Sequence, residues 1–157
     1  MLPFYIKYRV ELLSSFICLL CGMVPGVFVK GGKSDWYINL SKPFFSPPNW
    51  IFGPVWTALY IMMGIAFAKL IIEKKKNVTL ITLFIIQFIF NLAWSPLFFY
   101  FQNISLALFD IALLWSTILI FMILSIKQRL VFFLFLPYIM WVSFAFTINF
   151  SLYILNS

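Results

Sequence analysis

Histidine is absent from the 157-residue chain, and only four residues are acidic. Without imidazole, no Ser-His-Asp or Cys-His arrangement and no histidine-ligated metal site can be built, so the familiar chemistry of soluble hydrolases has no footing. Charge of either sign is scarce: 10% of residues against about a quarter in ordinary globular domains. So little polar cover cannot solvate a compact sphere. Two cysteines supply no disulfide framework. Cys18 and Cys21 have C-x-x-C spacing, but Gly22 follows where covalent haem attachment needs histidine. Inside an apolar run they read as small packing residues. No A-x-A-like cleavage site follows the first apolar stretch, so that stretch reads as a retained helix rather than a signal peptide.

What remains is apolar. Side chains are 64% hydrophobic and 22% aromatic, with 21 Phe, and the mean hydropathy is +1.07. These values exclude disorder, coiled coil and collagen and make lipid the solvent of most of the chain. Five apolar stretches long enough to cross a bilayer run over about residues 10–29, 50–72, 78–101, 105–126 and 130–155. They are continuous and about twice the length of the alternating strands of a membrane barrel, so the fold class expected is all-α, a five-helix membrane bundle forming one domain over 1–157.

The net charge of +7 does not mark a nucleic-acid partner, because the basic residues flank apolar runs. Lys7, Arg9, Lys69, Lys74, Lys75, Lys76, Lys127 and Arg129 fall in the segments that share one face, against Lys30, Lys33 and Lys42 on the other. The positive-inside rule then puts the amino terminus inside and the carboxyl terminus outside. A bacterial-type plasma membrane is the expected location.

One connector, 30–49, is long. Gly31, Gly32, Pro43, Pro47 and Pro48 interrupt any continuous helix, while Trp36, Tyr37, Phe44, Phe45 and Trp50 are too apolar for a loop in free water. It reads as a structured lid on the outer end of the bundle; the plainer alternative is an aromatic belt at the membrane surface.

Polar groups inside the spans cost free energy in hydrocarbon unless they meet a partner or a cavity. Gln87, Asn91, Trp94 and Ser95 share one helical face, as do Trp56, Tyr60 and Met63, and again Trp141, Ala145, Ile148 and Asn149. Asp110 lies about five residues into the fourth span, roughly 8 Å deep at 1.5 Å per residue. Counting depth from the outer ends brings Gly26, Trp56, Asn91, Trp94, Asp110, Ala145 and Asn149 to a common level under the lid. Two readings stand side by side: an aromatic-walled pocket with a few amides, or helices glued by amides around a filled core. Gly22 and Gly26 form a G-x-x-x-G that permits close helix approach. Pro25, Pro54, Pro96 and Pro137 imply kinks or helix starts.

Trp36-Tyr37, Lys42-Pro43, the run Pro47-Pro48-Asn49-Trp50-Ile51-Phe52-Gly53-Pro54-Val55-Trp56-Thr57, Leu59-Tyr60 and Met63-Gly64 resemble the signature of the TspO/MBR family, the tryptophan-rich sensory and translocator proteins. Gln87, Asn91, Trp94-Ser95, Phe98-Phe99, Asp110, Pro137-Tyr138, Trp141, Phe144-Ala145 and Asn149 continue it, over nearly everything after Gly22. The resemblance implies a dimeric bundle binding a small hydrophobic ligand, a tetrapyrrole such as protoporphyrin IX or haem, held non-covalently, with no metal ligated by the protein. Gly26, Val29, Phe52, Gly53, Val55, Trp56, Asn91, Trp94, Leu113, Trp141, Ala145 and Ile148 match the family pocket, to which the helical-face argument adds Tyr60 and the depth argument Asp110. Trp56 and Trp141 match tryptophans implicated in light-dependent porphyrin breakdown. The chain departs from animal members at Leu106 and Phe109, and no basic residue follows Tyr153, so animal-type drug and sterol affinity lack support. Three functions follow: a tetrapyrrole sensor or carrier, a photo-oxidative enzyme using Trp56 and Trp141, or a structural bundle without a ligand.

Overall fold

The computed structural model describes the backbone of residues 4–33, 35–72 and 77–157, with side chains described for 5–29, 35–72 and 77–157. Lys74, Lys75 and Lys76 of the basic face, and the side chains of Lys30 and Lys33, lie outside the described residues. Six α-helices are present among those described: α1 (Phe4–Met23), the short α2 (Asp35–Asn39), α3 (Phe52–Ile72), α4 (Val78–Ser95), α5 (Ile104–Leu124) and α6 (Arg129–Asn156). The five long ones are apolar and long enough to cross a membrane, and no strand occurs among the described residues.

Prolines set the irregularities. After Met23 the first crossing tightens into a 3-10 helix, Val24–Lys33, whose second residue is Pro25. The expected interruption at Gly31 and Gly32 is thus a change of helix type, and the backbone stays helical through Lys33. Pro96 cannot donate to Leu92, and the chain widens into a π-helical turn, Pro96–Tyr100, closed by the amide of Phe101 on the Pro96 carbonyl at 3.0 Å. Pro54 sits in the first turn of α3, where its missing N–H is no loss. Pro137 lies within α6 and leaves the Phe133 carbonyl without its helical donor. Asn77 and Asn103 cap α4 and α5 by accepting from the amides of Leu80 (3.2 Å) and Leu106 (2.8 Å), each cap contributing about 1 kcal/mol.

Helix α1 packs chiefly on α3. They approach closely at Gly64: a Cβ there would fall 2.2 Å from the Ser15 Cα, and Ser15 Oγ donates to the Ile61 carbonyl at 3.2 Å. Further along the pair, Glu11 and Lys69 form a partly buried ion pair. Glu11 is an acid within the first span whose partner the sequence did not reveal. At this end aromatic rings pack the bundle: the rings of Phe121 and Phe135 are 4.3 Å apart, and Phe84 stacks on Phe67 at 4.7 Å.

The other end carries the lid. Trp36 and Tyr37 of α2 meet the ring of Phe98 at 5.5 and 6.2 Å, and Tyr37 also meets Phe99 at 5.5 Å. Asn156, at the end of α6, clasps the backbone of Ser41, accepting from its amide at 2.9 Å and donating to its carbonyl at 3.0 Å. Lys42 Nζ stands 4.2 Å above the Tyr37 ring, and burial pushes the Tyr37 hydroxyl above its ordinary pKa. The connector therefore divides. Its first half is a lid, while Phe44 (100% exposed) and Trp50 (73% exposed) project outward as interfacial aromatics.

Candidate functional site

Beneath the lid lies a cavity of about 810 Å³, within the range of small-molecule sites, roughly 300–1,000 Å³. Every crossing contributes to its wall. Helix α3 supplies Phe52, Gly53, Trp56, Thr57 and Tyr60. They fall on one flank because successive residues turn by about 100°. The Trp56 indole stacks on Tyr60, centroids 5.5 Å apart and planes 27° from parallel, and meets Tyr138 edge-on at 6.3 Å. From α4, Trp94 stacks on Phe98 at 5.1 Å and 15°. On α6 the wall residues Trp141, Val142, Ala145, Ile148, Asn149 and Leu152 recur at helical spacing. Phe98 and Phe99 reach the cavity from the π turn, and Tyr37 from the lid.

Two amides of this wall, Asn91 and Asn149, are engaged by the protein. Tyr60 donates to Asn91 Oδ1 at 2.8 Å, and Asn91 Nδ2 to the Tyr138 hydroxyl at 3.0 Å. Tyr138 in turn donates to Gln87 Oε1 at 2.8 Å, and Gln87 Nε2 lies 4.0 Å from Met63 Sδ. A second clamp runs from Trp94 Nε1 to Asn149 Oδ1 at 3.0 Å and from Asn149 Nδ2 to the Ile104 carbonyl at 3.2 Å. Asn91 and Asn149 are thus both glue and cavity wall, and the two readings of the sequence merge. Trp141 differs: its Nε1 is buried with no partner among the described residues.

Glycine shapes two parts of the wall. At Gly22 a Cβ would fall 2.2 Å from the Tyr60 ring, so the absent side chain makes room for the tyrosine that holds Asn91. At Gly26 and Gly53 a Cβ would meet nothing within 4 Å. The G-x-x-x-G motif therefore faces the α3 tyrosine and the cavity.

Residues 14–155 match the model of the TspO/MBR family. The chain belongs to that family. It is 41% identical over 144 residues to the Tryptophan-rich protein TspO of Chlorobaculum tepidum, covering 89% of this chain and 91% of the relative. Against the protein of the same name from Archaeoglobus fulgidus it is 34% identical, covering 94% and 97%. Against the human Translocator protein it is 32% identical, covering 80% and 78%. As a TspO/MBR member with five apolar crossings, it is an integral membrane protein, and a further relative, from Cereibacter sphaeroides, carries the name Tryptophan-rich sensory protein.

Of the site residues expected from the sequence, Gly26, Val29, Phe52, Gly53, Trp56, Tyr60, Asn91, Trp94, Trp141, Ala145 and Ile148 line the cavity. Three do not. Val55 is one residue from Trp56, about 100° round α3, and lines a separate groove on the α3–α6 face. On α5 the cavity is lined by Ile111 and Leu114, and neither Leu113 nor Asp110 is among its lining residues. Asp110 is buried, with its Oδ2 unpartnered among the described residues. Gly22, Tyr37, Thr57, Phe98, Phe99, Ile111, Leu114, Val142 and Leu152 also line the cavity and were not among the expected site residues. Extending the α6 face by its own period finds Val142 and Leu152. Phe98 and Phe99 depend on the π turn, which leaves no periodic signal.

Proposed function

We propose that this TspO/MBR protein is a membrane receptor, a sensor or carrier, that holds a tetrapyrrole such as protoporphyrin IX or haem in the cavity under the lid. The observation that carries the reading is the convergence of three indoles, Trp56, Trp94 and Trp141 from α3, α4 and α6, on one cavity whose interhelical amides, Asn91 and Asn149, are already engaged by the protein. Such a wall offers flat π faces and apolar edges. A planar, largely apolar macrocycle is the guest that uses them most fully. Protoporphyrin IX titrated into the protein is expected to quench tryptophan fluorescence saturably, and Trp56→Phe combined with Trp141→Phe to weaken the response and the affinity. Equal quenching and affinity in the double variant would refute the site.

Photo-oxidative breakdown of the porphyrin is the second reading, favoured by the contact of Trp56 with two buried tyrosines, Tyr60 and Tyr138, which surrounds it with oxidisable rings. Under light and oxygen, the protein is then expected to bleach protoporphyrin faster than free tryptophan does. Equal rates would remove this reading.

The charge bias of the connectors supports an amino terminus inside and a carboxyl terminus outside. A reporter fused after Ser157 should be non-cytoplasmic; a cytoplasmic signal would reverse the orientation. A bacterial-type plasma membrane and a homodimer belong to the same reading, and cross-linking in bilayers at rising lipid-to-protein ratio tests the dimer.

A further inference from the structure

The groove that receives Val55 opens on the membrane-facing side of the α3–α6 seam. It encloses about 410 Å³ and is lined only by apolar residues, among them Val55, Ala58 and Met62 on α3 and Met140, Trp141 and Phe144 on α6. Its depth follows from helix geometry. Ala58 is six residues and Met62 ten residues beyond Phe52, the start of α3, about 9 and 15 Å along the axis at 1.5 Å per residue. In a hydrocarbon layer about 30 Å thick, those levels face acyl chains.

Trp141 lines both the groove and the cavity. Its ring therefore stands between the bilayer and the interior. It packs against the hydrophobic core and meets Phe52 at 5.7 Å and Phe144 at 5.8 Å, while its indole N–H finds no acceptor among the described residues. A partition held by apolar and ring contacts can turn aside without breaking a hydrogen bond. One turn earlier, Pro137 has removed a bond from the α6 ladder, which eases local movement. On the α3 side the groove carries a single methyl at the exposed Ala58.

We infer that the α3–α6 groove is a lateral entrance through which an apolar ligand passes from the bilayer into the cavity, with the Trp141 ring as the movable partition. The inference rests on the proposed ligand role of the cavity and adds the route. A tetrapyrrole partitions into lipid, so entry from the side spares it a passage through water under the lid.

The test uses the full-length protein in lipid bilayers, with protoporphyrin IX delivered from porphyrin-loaded vesicles and binding followed by tryptophan quenching in time. Ala58→Phe fills the groove from a position outside the cavity wall. It is expected to slow association and dissociation together by about tenfold while the equilibrium affinity stays within about twofold, as befits a change in passage rather than in binding. Met140→Trp, at a residue that is already exposed, should act in the same direction if Ala58→Phe fails to fold. Separately, Ser41→Cys with Asn156→Cys, in a Cys18→Ser, Cys21→Ser background, locks the lid on oxidation and is expected to leave the rates unchanged. Unaltered rates in both groove variants, or loss of uptake in the lid-locked protein, would overturn the entrance. Absence of saturable binding by the unaltered protein would remove the ligand reading itself, and the entrance with it, a result distinct from either change in rate.

Discussion

The Tyr60 hydroxyl on α3 and the Asn91 amide oxygen on α4 lie 2.8 Å apart, and the same amide donates to Tyr138 on α6 at 3.0 Å. One side chain thus ties three crossings together at the floor of the cavity, and Gln87 extends the chain by a further bond. In a low-dielectric interior each of these groups would be costly if left alone. The fold can afford an amide here because both of its ends are used.

Asn91→Ala is therefore expected to be more damaging than the loss of one bond. It leaves two tyrosine hydroxyls short of a partner and opens a small void, together costing about 2–4 kcal/mol. Thermal unfolding in detergent should shift down by roughly 5–15 °C for a chain of this size. A shift of under a degree would show that the network is dispensable.

The glycines are expected to separate into two classes. Gly64→Ala drives a methyl into the Ser15 backbone, which can yield only if α1 moves, at a cost of about 1–3 kcal/mol. Gly53→Ala meets open space and should leave the melting temperature within a degree or two of the parent. Equal melting temperatures for the two variants would contradict the close α1–α3 crossing.

The lid is fastened at Ser41 by two exposed hydrogen bonds exchanged with Asn156, each worth about 0.5–1.5 kcal/mol net. Asn156→Ala should loosen it and increase protease cleavage near Ser41 several-fold, with little change in global unfolding. Unchanged cleavage would mean that the aromatic contacts of Trp36 and Tyr37 alone hold the lid.

The long apolar runs made the five crossings legible, because burial in lipid admits few other backbones. The wall residues of α6 were legible too, since Trp141, Ala145 and Ile148 repeat at the helical period. Asp110 was not: depth along a helix can be counted from its end, but the direction in which a residue faces is set by neighbours that depth does not name, and Val55 and Leu113, carried over from the family resemblance, do not line the cavity either. The 3-10 segment after Met23 and the π turn after Pro96 escaped for a related reason. Proline marks where a helix must change, without saying whether it tightens, widens or stops. The sequence left Asn91 open between wall and glue, and the structure gives it both tasks because Tyr60 and Tyr138 occupy its amide from the side while its remaining surface faces the cavity. The clasp of Asn156 on Ser41, 115 residues apart in the chain, has no local signal at all.

The central claim is that the cavity under the lid is the place where the ligand is held. Ala145 lines it with a single methyl, so Ala145→Phe puts a ring into the space a macrocycle would occupy. Equilibrium binding of protoporphyrin IX to this variant, measured beside its melting temperature, tests the claim most directly. The expected result is an affinity loss of at least about tenfold, 1.4 kcal/mol, in a protein that still melts near the parent temperature. Unchanged affinity in the folded variant would contradict it.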